Sequence, residues 1–112
     1  MPRSTPESIR ITSTFFYLLL TLVDGDRHGY AMAQEVRERS DGAISLGPGS
    51  LYWSLNRLAE TGLIEETERT QSDPADERRR YYLLTRRGRA VLKREAETLS
   101  KVLRFAKSKR VI

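Results

Sequence analysis

A proline set between two glycines, Gly47-Pro48-Gly49, leads into a leucine-spaced run that another glycine, Gly62, brings to a close. That punctuation confines Pro48 to Thr61 to one short helix with defined ends. Gly47 suits the N-cap. Pro48 suits the first helical position, where its missing N–H would have no partner in any case. Gly62 suits the left-handed conformation that closes a helix. At about 100° per residue, Leu51, Leu55 and Leu58 fall on one stripe. The other side carries Trp53, Asn56, Arg57 and Glu60, with Tyr52 at the border. One face is therefore suited to a core, and the other is rich in groups that can grip or read something. The amides of Gly49 and Ser50, with the Ser50 hydroxyl, lie at the positive end of the helix dipole, which attracts phosphate.

The chain has 112 residues and a formal net charge of +5. Its length fits one domain with one core, and its basic balance favours a polyanionic partner. The absence of cysteine excludes disulfides, thiolate zinc sites and thiol nucleophiles, and agrees with a reducing, cytoplasmic setting. The apolar run from Phe15 to Val23, with Arg3 and Arg10 upstream, has the outline of a signal peptide. It passes straight into Asp24-Gly25-Asp26-Arg27 with no small-residue cleavage site, and it is too short to span a bilayer. A buried core helix is the better reading, and no membrane partner is expected.

Thr5-Pro6 and Thr12-Ser13 are alternative starts for this first helix, which runs to about Val23. It is apolar nearly all round, so burial is expected on two sides, against the core and against a partner subunit. His28-Gly29-Tyr30 opens a second helix that ends near Ser40-Asp41-Gly42. Tyr30, Ala33 and Val36, with Met32 alongside, form its expected inner face. Ala43 to Leu46 reads as a short strand before the Pro48 helix. Leu63 to Arg69 and Arg78 to Thr85 read as two strands of a hairpin with a polar tip, and Tyr82 and Leu84 are expected to point inward. Thr85 can cap a final helix from Arg86 to about Lys107. Its stripe of Val91, Leu92, Ala96, Leu99, Val102, Leu103 and Ala106 has no later element to cover it; part of it can pack on the first helix, and a second chain is expected over the rest. The tail is basic, with Lys101, Arg104, Lys107, Lys109 and Arg110. The fold class is thus mainly α with a small β-hairpin. Residues 1–85 read as a winged helix-turn-helix, and residues 86–112 as a C-terminal dimerisation helix with a basic tail.

Within that fold the Pro48 helix is the expected reader of a DNA major groove. Gly49 and Ser50 would hold a phosphate. Tyr52, Trp53 and Asn56 would approach bases or sugars, and Arg57 a phosphate or a guanine edge. Arg78, Arg79 and Arg80, near the hairpin tip, would meet phosphates or the minor groove; a charged edge that blocks aggregation is the plainer alternative. His28, the only histidine, is expected to cap the second helix or line the DNA face. Tyr30 reads mainly as a core aromatic whose hydroxyl reaches a phosphate. One histidine with scattered carboxylates makes neither a metal site nor a catalytic group, so no cofactor and no enzymatic activity are expected.

In this order the motifs resemble the PadR family of bacterial transcriptional regulators. The residues that carry the resemblance are His28-Gly29-Tyr30, Leu46-Gly47-Pro48-Gly49-Ser50-Leu51-Tyr52, Leu55, Arg57-Leu58, Gly62-Leu63-Ile64 and Arg79-Arg80-Tyr81-Tyr82-Leu83-Leu84-Thr85-Arg86-Arg87-Gly88. The resemblance implies a homodimeric repressor; two reading helices related by a two-fold axis would then meet an inverted-repeat operator in double-stranded DNA. The resemblance also implies a small aromatic ligand as effector, and a last helix that packs near the partner's first helix. Phe15, Phe16, Leu19, Leu92, Ala96, Leu99, Val102, Leu103 and Ala106 are then the expected dimer interface. Trp53 stands where the family more often has a proline or a basic residue, and the final helix has no tryptophan. The rival reading is a winged-helix protein-interaction module without DNA specificity of its own.

Overall fold

Thr12 caps the first helix; Thr5-Pro6, the other expected start, lies outside the described residues. The structure, a computed structural model, describes residues 9–67 and 80–112. In it the Thr12 side chain accepts a hydrogen bond from the Phe15 amide at 3.2 Å and caps α1, Ser13–Leu20. The helix stops short of Val23. The Thr21 hydroxyl donates back to the Leu18 carbonyl at 2.7 Å, and turns carry the chain to Gly25, whose φ of +147° suits glycine.

A two-residue strand, β1 (Arg27–His28), precedes α2, Gly29–Arg39. The helix α3 spans Pro48–Glu60, with Gly47 at the N-cap and Pro48 at the first helical position. It ends as its sequence predicts. Gly62 has φ +80°, its amide donates to the Ala59 carbonyl, and the Leu63 amide donates to the Leu58 carbonyl, each at 3.0 Å. Two carbonyls of the last turn are thereby satisfied. Then come β2 (Ile64–Thr67), β3 (Tyr81–Leu84) and α4, Arg86–Ser108, which Thr85 caps.

The three strands form one antiparallel sheet in the order β1-β3-β2. Ile64 pairs with Leu84 and Thr67 with Tyr81 on one side of β3, and Arg27 pairs with Tyr82 on the other. The third strand is therefore Arg27–His28 and not the expected Ala43–Leu46, which is loop. The open edge of β3 needs backbone partners, and β1 passes beside it. Among the described residues, four helices with a small sheet make a winged-helix architecture.

The core lies where α1, α2 and α3 meet the sheet. Phe15, Leu18, Leu19 and Leu22 meet Met32 and Val36 from α2. Leu51, Leu55 and Leu58 arrive from α3, and Leu63, Ile64, Tyr82 and Leu92 close the cluster. Each fully buried leucine contributes about 1.5–3 kcal/mol relative to an exposed one. Tyr30 departs from its expected place. It is 59% exposed, because the inward phase of α2 is set by Gly29, Met32 and Val36. A Cβ at Gly29 would lie 3.2 Å from Leu55 Cδ1, so α2 and α3 approach closely there.

Phe15, Leu19 and Leu92, expected at a dimer interface, are buried inside the protomer and have almost no surface to offer a partner. The exposed side of α1 is instead marked by Leu20, and Phe16 is half-buried. On α4 the stripe divides. Leu92 is buried and Val91 packs against the core, whereas Leu99, Val102 and Leu103 are exposed.

Candidate nucleic-acid interface

The outer side of α3 stands free because its leucines are committed inward. Leu51, Leu55 and Leu58 are buried, while Ser50, Trp53, Asn56 and Arg57 are exposed and Tyr52 is half-buried. Gly47 has no side chain to cap the helix. The amides of the first turn, at Gly49 and Ser50, therefore have no carbonyl one turn back and no capping oxygen, which makes them donors for an anion. Arg57 Nη1 lies 3.8 Å from Glu60 Oε1, a loose exposed pair that costs little to open.

Trp53 is 64% exposed but not isolated. Its ring stacks on that of Phe15, with centroids 6.2 Å apart and planes 16° from parallel. Thr12, Thr14 and Phe15 of the α1 region line one cleft with Gly49, Ser50, Trp53 and Ser54. Sequence reasoning missed the contribution of α1. Thr12 and Thr14 lie far along the chain from α3, and only packing brings them together.

Leu46 borders that cleft and also a second groove, lined by Tyr30, Gln34, Arg37 and Ser45. The start of α2 and the start of α3 thus flank one continuous stretch of surface. His28 is the N-cap of α2, its Nδ1 accepting the Ala31 amide hydrogen at 3.1 Å, and its ring meets Tyr81 edge-on at 5.4 Å. The Gly29 amide donates to the Arg80 carbonyl at 3.3 Å, tying the base of the wing to the first turn of α2. Arg80 is exposed, and its Nε is 3.8 Å from Glu66 Oε2. Arg78 and Arg79 lie outside the described residues. Arg27 pairs with Glu35, which also pairs with Arg39 at 3.4 Å, so these two arginines are less available to a polyanion.

Beneath the wing, Tyr82 is buried and its phenol oxygen has no hydrogen-bond partner among the described residues. Burial pushes its pKa above 10.0, and the Glu66 carboxylate adds to the shift. The nearby Arg80 guanidinium opposes it without supplying a hydrogen bond of good geometry. Among the described residues no helix is long and apolar enough to cross a membrane, and no cluster of three or more metal-ligating side chains is present.

An uncapped helix start, an exposed polar and aromatic helix face and an exposed arginine just before β3 are parts that a DNA-binding module needs. Family comparison bears on the same point. Residues 18–94 match the transcriptional regulator PadR-like family. The chain belongs to this family. PadR-like proteins are transcription regulators and not enzymes. A PadR family transcription regulator from hypervirulent Clostridium difficile R20291 is 26% identical, with TM-score 0.69 over 84% of this chain and 96% of that one. The H. salinarum protein RosR is 31% identical, with TM-score 0.65 over 80% of this chain and 76% of that one. Bacillus subtilis PadR, solved in complex with operator DNA, shares the fold at TM-score 0.61 and 22% identity, over 72% of this chain and 45% of that one. An uncharacterized 37.1 kDa protein in a Streptomyces fradiae transposon is 34% identical over 84% of this chain. This chain spans only 25% of that protein's length.

Proposed function

We propose that the chain is a homodimeric, cytoplasmic repressor that binds an inverted-repeat operator in double-stranded DNA. Residues 1–85 form the DNA-binding unit, and residues 86–112 the dimerisation helix and basic tail. The exposed outer face of α3, with its leucines buried behind it, is the observation that carries this reading. Two copies of α3 related by a two-fold axis would read half-sites about 34–36 Å apart. Gly49, Ser50 and Tyr30 serve phosphates, Asn56 and Arg57 approach base edges, and Trp53 and Tyr52 supply apolar contact. Phe16, Ala96, Leu99, Val102, Leu103 and Ala106 serve the dimer. A small aromatic effector is assigned to the groove between α1 and α4 that Phe16, Tyr17, Leu20 and Leu99 line. It would act only through unequal affinity for two arrangements of the dimer.

Fluorescence anisotropy with operator DNA across a salt series tests the docking face. Removing one side chain that neutralises a phosphate reduces the slope of log affinity against log salt by about one. Arg57→Ala with Arg79→Ala should lower both affinity and slope. Unchanged values for both would show that DNA meets another surface. Thermal-shift screening with aromatic acids tests the effector, and no stabilisation by any of them would remove it from the mechanism.

A further inference from the structure

The end of α3 and the start of α4 are joined through a single hydroxyl. Thr85 Oγ1 donates to the Gly62 carbonyl at 2.6 Å and lies 3.0 Å from the Leu63 carbonyl. The same oxygen accepts the Gly88 amide hydrogen at 2.9 Å. The Thr85 amide adds a bond to the Leu63 carbonyl at 3.1 Å. Capping α4 requires only the bond from Gly88. The bonds to Gly62 and Leu63 do something else, because those two residues close α3.

Gly88 makes the contact closer still. A Cβ there would lie 2.0 Å from the Leu63 carbonyl oxygen and 2.8 Å from Leu84 Cδ1, so any larger residue would lever α4 away. One turn of the same helix is held at a second point, where the Arg89 guanidinium donates to the Val23 carbonyl at 3.1 Å, just past α1. Leu92 is the last buried residue of α4; beyond it Glu95 and Leu99 still border a groove with α1, and most of the helix is exposed.

We infer that Thr85 and Gly88 are positioning residues for DNA recognition: they hold α3 at one fixed angle to α4, so that pairing of two α4 helices sets the distance between the two reading helices. This rests on the proposed function, in which α4 pairs and α3 reads. It adds that the spacing of half-sites is decided at this joint. The part of α4 beyond Leu92, residues 93–108, is ~24 Å long. A slack of about 10° at its base displaces its far end by ~4 Å, roughly one base-pair step of 3.4 Å. A loose joint would therefore blur the spacing by a whole step, whereas a clamped one resolves it.

Gly88→Ala is the obvious variant, but its clash endangers folding, so Thr85→Val carries the test. It keeps the shape and removes the hydroxyl. Thr85→Ser restores the hydroxyl and is the control. The dimer is confirmed by sedimentation, and inverted-repeat duplexes are compared with the spacer lengthened or shortened by one base pair. The unaltered protein and Thr85→Ser should lose about tenfold or more in affinity off the optimum, and Thr85→Val less than about threefold. Independently, Glu60→Cys places one spin label at the exposed end of α3 in a chain that has no other cysteine. In the DNA-free dimer the label-to-label distance distribution should be narrow, and Thr85→Val should broaden it. A folded, dimeric Thr85→Val protein that keeps both the sharp optimum and the narrow distribution overturns the clamp alone. An unaltered protein with no spacing optimum overturns the two-helix reading, and the clamp with it.

Discussion

The helices α3 and α4 are both amphipathic, yet they stand in opposite relations to the protomer. On α3 every leucine of the stripe is buried by α1, α2 and the sheet, and only its polar and aromatic side faces out. On α4 the stripe is buried only at its base, and Leu99, Val102, Leu103 and Phe105 remain in the open. The ends differ as well. Glycine closes α3 at φ +80°, whereas Arg110 takes φ +61° at the end of α4, a conformation that strains a side chain. One helix is completed by its own chain and free to meet a ligand. The other leaves an apolar stripe uncovered within the protomer.

Substitutions can break that contrast, and the largest effect is expected in the stripe of α3. Leu55→Ala should cost about 2–5 kcal/mol in urea unfolding, because Leu55 is fully buried at the meeting of α2 and α3. A loss well under this would mean that α3 is not seated as described. Next, Leu99→Asp with Leu103→Asp should weaken self-association about 100-fold, or ~2.7 kcal/mol, by sedimentation equilibrium, while circular dichroism retains the helices. If self-association is unchanged, the open stripe of α4 is not what a second copy covers.

The helix ends give a smaller contrast. Gly62→Ala should lower stability by about 1–2 kcal/mol through left-handed strain alone, since the added Cβ would meet Arg87 Cδ at an ordinary 3.5 Å. Arg110→Gly, which relieves the same strain at an exposed terminus, should change the melting temperature little. Equal effects at the two positions would contradict the difference in how the helices are anchored.

Smallest is Tyr82→Phe, in the sheet that links α3 to α4. The phenol oxygen has no partner among the described residues, so its removal should be close to neutral at pH 7. The pKa of Tyr82 lies above 10.0 in the folded state, so the neutral phenol is favoured by folding. That contribution is intact below pH 10.0 and is lost as pH rises toward the folded-state pKa. Tyr82→Phe should therefore resist alkaline unfolding better than the unaltered chain. Parallel pH–stability curves for the two proteins would show that Tyr82 does not titrate as described.

Much of this organisation has local causes and is legible from residue order. The start of α3 at Gly47-Pro48, its close at Gly62, the caps at His28 and Thr85 and the leucine stripe all depend on neighbours within about four residues. Capping and helical periodicity act over that range, so the sequence by itself determined them. Other features were decided by packing between distant segments. Arg27–His28 became the third strand because β3 had an open edge for it to pair with. Tyr30 turned outward because Gly29, Met32 and Val36 were the residues that fitted α3 and the core, and Phe15 and Leu19 turned inward by the same competition. The cleft that joins Thr14 to Trp53, and the seat of Gly88 on the Leu63 carbonyl, likewise depend on close approach of segments that are remote in the chain. A linear pattern shows that a residue is apolar or small. Only tertiary structure decides which surface it meets, because burial is settled among all segments at once.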